Sequence, residues 1–463
     1  MSNEPLHFLD LPRPNLEYGI LQGQTDTTTL AAHDFDVDPR TGFMPHQPPL
    51  TRLPDKWELW ESALDAVLTH PFIVGDSLAI TTADLERSEV WRQRIEKMPI
   101  LDTVDFISSE PLLRRAHLVL AFLLHIYVHS HSKDPNSSST IIPCAIGIPL
   151  LRVSASLQLP PVLTYADTVL YNWAPIDPSL PVSEQNIRVV TTASGTPDEC
   201  HFYLTSSRIE LRGVEALDLM RASLDEAFIG DEIAIRRISG YLDKLAMVIH
   251  DLTSTLHAVR QGCDPSVFYN VVRPWFRGVD SGPNPTNQWL FQDAEKFGFL
   301  QPIEMSGPSA GQSSLIYALD IFLSVDEKTH AVMSHSETHE KPFLERMKAY
   351  MPRHHRAFLT HLAAEPRRIR DLVQTSHNEG FTQAYNSAIQ ALKIFRDGHI
   401  QIVTSYIISQ ARSTPSNLLA TETHGSNLKG TGGTELVPFL KGVRDRTARS
   451  ALDRVSDKDS NPA

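Results

Sequence analysis

One histidine is the residue of this chain whose surroundings point most directly to chemistry. Phe381, Tyr385, Ala388, Leu392, Phe395, His399, Ile402 and Tyr406 follow one another at spacings of 4, 3, 4, 3, 4, 3 and 4, the pattern of a single buried helical face. A buried imidazole must satisfy its ring nitrogens, because a buried polar group left without a partner costs on the order of 1–3 kcal/mol. Spacing alone leaves two solutions open: a core histidine hydrogen-bonded to a protein acceptor, or a metal ligand. Gly398 stands directly before it. An interior helical glycine costs about 1 kcal/mol relative to alanine and marks the close approach of a neighbour. A flat macrocycle is the neighbour expected here.

Other constellations compete with this one. Gly307-Pro308-Ser309-Ala310-Gly311 satisfies G-x-S-x-G, the nucleophile elbow of α/β-hydrolases. That motif needs a buried strand before it and alternating strands and helices around it, whereas Phe297 to Ser306 is short and broken by Pro302. His125 with His129, and His335 with His339, have the i, i+4 spacing of a chelating pair but lack the glutamate of HExxH and a third ligand. The first pair reads as a helix face and the second as loop.

The stretch Arg396-Asp397-Gly398-His399-Ile400-Gln401-Ile402-Val403-Thr404 resembles the proximal helix of the indoleamine 2,3-dioxygenase family, in which a histidine followed by LQIVT ligates haem iron. Similar family segments occur in order: Ser309-Ala310-Gly311-Gln312-Ser313-Ser314, Tyr350-Met351-Pro352 with His355-Arg356-Ala357-Phe358-Leu359, and Gly430-Thr431-Gly432-Gly433-Thr434. The resemblance runs from about Pro160 to Leu452.

It implies haem b held by His399 as the one axial histidine ligand, with O2 and L-tryptophan or a related indole as substrates. Ser266 to Arg273 resembles the substrate helix, so Phe268 would pack on the indole and Arg273 would grip the carboxylate with its planar fork. Tyr165-Ala166-Asp167-Thr168-Val169-Leu170-Tyr171-Asn172-Trp173 resembles the segment YADCVLANW, which puts Tyr165, Thr168 and Val169 at the pocket floor, with Thr168 where the family has Cys. His201 to Ser206 is similar to the distal segment, placing Phe202 and Ser206 over the oxygen site; Ser207 and Arg208 follow where the family is usually apolar. Ser309 and Ala310 line the substrate site and Thr431 sits in its glycine-rich lid. Asp320 matches the acidic group near the proximal histidine, and Arg396, one turn before His399, fits a haem-propionate contact.

The implied reaction inserts both atoms of O2 across the indole C2–C3 bond of L-tryptophan and yields N-formyl-L-kynurenine, the entry to the kynurenine pathway. The cofactor does the hard chemistry, and Arg273, Phe268 and Ser206 are the protein's catalytic set. The pattern also departs from the family at Pro274-Trp275-Phe276-Arg277-Gly278 and at Pro308. A divergent member acting on another indole in secondary metabolism, or a haem-binding signalling protein without turnover, are the alternative readings.

The elements that must position these residues are mainly helices. Lys56 to Thr69 and Glu110 to His129 repeat apolar residues every three or four positions. Gly213 to Phe228, Ile233 to Val259, Ser313 to Val325 and Gly380 to Gln410 read as long amphipathic helices. The Pro-rich and polar stretch Ala174 to Glu199 separates two parts. The expected fold is mostly α: a smaller mixed, mainly α N-terminal domain over residues 1–185, covering the distal side, and a large all-helical haem-binding domain over residues 196–463. Residues 1 to 55 read as arm and loop, Asp326 to Lys341 and Ser413 to Gly433 as poorly ordered loops, and the tail after Ser450 as frayed.

Bulk properties narrow the classes. The 463 residues carry a net charge of −13, which argues against a nucleic-acid partner, since phosphate binding needs concentrated Lys and Arg. Leu118 to Val128, the most apolar run, is interrupted by His125 and is about half of the roughly 20 residues that span a bilayer. Met1 to Leu21 lacks the basic start and apolar stretch of a signal peptide. Cys144, Cys200 and Cys263 fit neither a zinc motif nor a disulfide framework. The expectation is a monomeric cytoplasmic protein with no membrane partner.

Overall fold

Glu110 opens and His129 closes the helix whose pattern is clearest in the sequence, and the computed structural model gives it the same bounds. The structure describes residues 35–77, 79–131, 139–281, 288–325, 343–413, 430 and 436–453. Ahead of that helix come α1 (Glu58–Thr69) and α2 (Thr82–Glu96), making Glu110–His129 α3; α4 (Cys144–Leu157) follows. The second part holds α5 (Pro197–Arg212), α6 (Val214–Ile229), α7 (Glu232–His257), α8 (Ser314–Phe322), α9 (Phe343–Lys348), α10 (Arg353–Ala363), α11 (Ile369–Ser376), α12 (Glu379–Val403), α13 (Ser409–Ser413) and α14 (Leu436–Arg449). The mostly α expectation holds.

Strands are few and short among the described residues. Ser139–Ile142 (β1) pairs in parallel with Gln288–Phe291 (β4), and Trp173–Pro175 (β2) pairs antiparallel with Ile187–Val189 (β3). The helical part beyond residue 196 therefore carries one strand among the described residues, and that strand is joined to the N-terminal part.

α3 has the length and apolar composition of a membrane-crossing helix, but it is buried along most of its length. Leu118 through Ile126 are fully enclosed, each large side chain stabilising by about 1.5–3 kcal/mol. His125 sits among them as a satisfied core residue. Its Nδ1 donates to the Trp275 carbonyl at 2.8 Å and its Nε2 accepts from the Leu163 N–H at 3.2 Å. With burial and His129 driving its pKa to about 3, it is neutral. His129 Nε2 meets the Arg277 carbonyl at 2.8 Å, so this pair ties α3 to the chain after residue 273. His335 and His339 lie outside the described residues, as do the segments 326–342, 414–429, 431–435 and 454–463.

α12 and α7 form the long helical pair beneath the candidate site. Asn378 caps α12, its Oδ1 accepting from the Phe381 N–H at 3.0 Å, and Asp231 caps α7 through the Ala234 N–H at 2.7 Å. The pair explains Gly398, and corrects the expectation of a macrocycle there. A Cβ at Gly398 would lie 3.0 Å from His257 Nε2 and 3.5 Å from the Thr253 methyl. The close neighbour is the last turn of α7.

Candidate functional site

Three π-helical turns stand among the described residues, at Ala166–Leu170, Phe268–Val272 and Thr404–Ile408. All three border one cleft, in keeping with the tendency of π turns to occur at functional sites. The cleft holds about 1110 Å³ of atom-free space counted out to its mouth. It gathers Tyr165, Thr168 and Val169 from the first turn and its flank, Phe202 and Ser206 from α5, Phe268 and Arg273, Ser309 and Ala310, and His399 near the end of α12. Residues far apart in sequence and singled out there thus share one space.

The floor is built from the first turn. Asp167 anchors it: Oδ2 accepts from the Thr164 N–H and hydroxyl at 2.9 and 2.7 Å, and Oδ1 meets His117 Nδ1 at 2.7 Å. His117 Nε2 faces the Pro160 carbonyl at 3.1 Å, so both ring nitrogens face acceptors, an arrangement that favours the protonated ring. Burial pushes its pKa down, but the Asp167 carboxylate outweighs burial and raises it. Tyr165 is fixed at both ends. Its N–H donates to Gln312 Oε1 at 2.8 Å and its hydroxyl to Glu210 Oε1 at 2.8 Å.

The aromatic wall runs across elements. Phe268 lies with its ring 4.6 Å from Phe202 and 5.7 Å, edge-on, from Tyr406. Asp264 starts the Phe268 segment, its Oδ1 accepting the N–H groups of Ser266 and Val267 at 2.8 and 3.0 Å with Pro265 first in the turn. Arg273 follows in a short 3-10 turn, buried, with its guanidinium 5.3 Å from the Tyr269 ring centre. Behind it Phe276 to Gly278 runs against Met305 to Gly307, and a Cβ at Gly307 would overlap the Phe276 carbonyl. Only glycine lets the two backbones pass, which sets Pro308, Ser309 and Ala310 beside Arg273.

Ser309 is no hydrolase elbow. Its Oγ accepts from the Gly311 N–H at 3.2 Å and caps the 3-10 turn Ala310–Gln312. Arg208, the departure on α5, points away from the cleft and donates to the Glu184 carbonyl at 2.9 Å. Ser207 bonds back to Tyr203 and to the Val169 carbonyl. α5 therefore keeps its register, and Ser206 still faces inward.

His399 is half-buried at the cleft, and among the described residues nothing hydrogen-bonds either ring nitrogen. Burial and the nearby Arg396 hold its pKa at about 4, so the ring is neutral with a free lone pair. That is the donor a haem iron takes, and a cleft walled by aromatic and aliphatic side chains suits a flat apolar ring, so the residues present fit the group. Asp320 meets this turn through Arg396, whose Nη2 reaches both carboxylate oxygens at 2.5 and 2.6 Å while Nη1 bonds the Thr447 hydroxyl. Arg396 and Asp320 lie beneath the cleft rather than on its wall. Thr431 lies outside the described residues; Gly430 before it borders the cleft.

Several cleft residues went unnoticed in the sequence. Phe276, Pro308 and Tyr406 are wall residues, the first two hidden in segments marked only as departures and the third already on the apolar stripe. Glu210, behind Tyr165, had no signal beyond a lone acidic residue in an amphipathic helix.

The indoleamine 2,3-dioxygenase family model matches residues 31–450. Indoleamine 2,3-dioxygenase of Saccharomyces cerevisiae is 35% identical, covering 91% of this chain and 94% of that protein. Indoleamine 2,3-dioxygenase 1 of Mus musculus is 30% identical over 92% and 97%, and a 6-hydroxytryptophan 2,3-dioxygenase of Fusarium equiseti is 30% identical over 92% and 98%. A match of this extent, on a helical chain whose cleft gathers His399, Phe268 and Arg273, leaves one conclusion: the chain belongs to the indoleamine 2,3-dioxygenase family of haem-dependent dioxygenases.

Proposed function

We propose that the cleft binds haem b through His399 and oxidises L-tryptophan to N-formyl-L-kynurenine, the first step of tryptophan catabolism by the kynurenine pathway. The observation that carries this is the neutral, hydrogen-bond-free His399 facing a cleft whose other walls hold Arg273 and Phe268. When bound, haem supplies the activation of O2 that lets both oxygen atoms enter the indole C2–C3 bond.

The protein's residues do the positioning. Arg273 receives the substrate carboxylate bidentately and its burial strengthens that pairing. Phe268, Tyr165, Thr168 and Val169 hold the indole between them, with Ser309 and Ala310 beside it. Phe202 and Ser206 close the oxygen side and exclude water. Arg396, paired with Asp320 beneath the cleft, braces the turn that carries His399. No side chain need act as general base, and the unit ahead of about residue 185 covers the distal side.

A second substrate is favoured by one observation. Thr168 puts a hydroxyl at the floor, donating to the Thr164 carbonyl at 3.2 Å; one relative is named for 6-hydroxytryptophan. The deciding experiment loads the protein with haem, reduces it and follows N-formylkynurenine formation in air from L-tryptophan, with 6-hydroxytryptophan in parallel. Faster turnover of the hydroxylated substrate would move the assignment to secondary metabolism. A haem-replete protein that turns over neither is a binder without catalysis.

A further inference from the structure

Glu210 is buried on α5, 1% exposed, and borders none of the cleft itself. Its Oε1 accepts two hydroxyls, Tyr165 at 2.8 Å and Ser313 at 2.8 Å. Its Oε2 is buried with no hydrogen-bond partner among the described residues. The three segments joined at this carboxylate are three walls of the cleft: α5 with Phe202 and Ser206, the floor with Tyr165, and the Ser309–Ser313 turn. Gln312 closes the loop, taking the Tyr165 N–H at 2.8 Å and giving its amide to the Gly307 carbonyl at 2.9 Å.

We propose that Glu210 is a positioning residue for the indole substrate, its carboxylate drawing Tyr165 and Ser313 together so that the Tyr165 ring stands against the bound indole. This rests on reading the cleft as an indole site. Tyr165 and Ser313 are the side chains bonded to the Glu210 carboxylate, Gly42 lies beside its backbone carbonyl, and no charged neighbour acts on it among the described residues. Burial raises its pKa to about 7, against the two hydroxyl bonds that lower it. A carboxylate accepts hydroxyl bonds more strongly than a carboxylic acid. Tyr165 is therefore held firmly above that pH and loosely below it.

The test compares wild type, Glu210→Gln and Tyr165→Phe in the haem-loaded protein between pH 6 and 8. Wild-type KM for L-tryptophan should rise about tenfold on going down through this range while kcat changes little. Both variants should show a KM that no longer depends on pH and lies near the wild-type value at pH 6. A role in packing alone would lower stability without removing the pH dependence. Thermal unfolding supplies a readout independent of turnover. Because the folded pKa lies above the unfolded one, wild-type stability should fall between about pH 4.5 and 7 relative to Glu210→Gln. A Glu210→Gln enzyme that keeps the wild-type KM profile overturns the proposal, as does a stability difference that is flat with pH. Absent turnover in wild type with that stability slope intact instead overturns the indole reading and leaves Glu210 titrating as described.

Discussion

Asp320 grips Arg396 with both carboxylate oxygens, at 2.5 and 2.6 Å, one helical turn before His399. Both side chains are 8% exposed, so the pair is a buried one. Removing either partner leaves a buried charge uncompensated. Asp320→Ala should lower stability by about 3–5 kcal/mol, read by urea denaturation, and should weaken haem retention. A shift under about 1 kcal/mol would show that the pair does not brace the His399 turn.

His399→Ala should fold, because the half-buried ring makes no hydrogen bond that the fold relies on among the described residues. Its haem should lose the axial nitrogen, visible as a changed Soret band and electron paramagnetic resonance signal, and added imidazole should restore both. An unchanged spectrum in the variant would remove His399 from the ligand role.

Arg273→Ala should cut kcat/KM for L-tryptophan by about a hundredfold through lost carboxylate pairing. An indole substrate without a carboxylate should show no comparable loss. Equal losses for the two would mean that Arg273 acts on the fold of its buried 3-10 turn rather than on the substrate.

Gly398 sets helix propensity against contact with His257. Alanine there gains about 1 kcal/mol of propensity, while its Cβ meets His257 Nε2 at 3.0 Å. The Gly398→Ala change should be close to neutral in stability, and should stabilise by about 1 kcal/mol in a His257→Ala background. A double-mutant cycle measures this, and zero coupling would refute the contact.

The His117–Asp167 pair gives a pH dependence of known sign. Asp167 raises the His117 pKa in the folded state above the ordinary histidine value, so its contribution is full below about pH 6.5 and is lost as pH rises through the folded pKa. The stability gap between wild type and His117→Gln should be widest near pH 5 and narrow above neutrality. A gap that widens with pH would show that the ring is neutral.

Much of the helical frame could be read from residue spacing. α3 has the predicted bounds, and α6, α7 and α12 begin within one residue of theirs. α2 and α4 were not read. α2 has only Trp91 and Ile95 as buried large apolar residues, although its Thr81–Asp84 capping box marks the start, and α4 carries Pro149 inside it. The wall residues at His399, Phe268 and Tyr165 were legible only through resemblance, since a buried ligand histidine and a core histidine share one pattern. His125 shows why: the same spacing, with both nitrogens satisfied. Gly398 signalled a close approach, but a glycine does not say what approaches it. Glu210 depends on partners 45 and 103 residues away, a juxtaposition that no local pattern encodes.

The three π turns around the cleft give the protein a means of change that the rest of its described helices lack. Each takes up a residue beyond the α count, so removing that residue would re-aim the side chains of the turn itself while the flanking chain keeps its phase. A single deletion at Ala166–Leu170 could thus re-aim the floor side chains while the capped helices beyond keep their packing. Shape at the cleft and integrity of the scaffold are separable in this architecture.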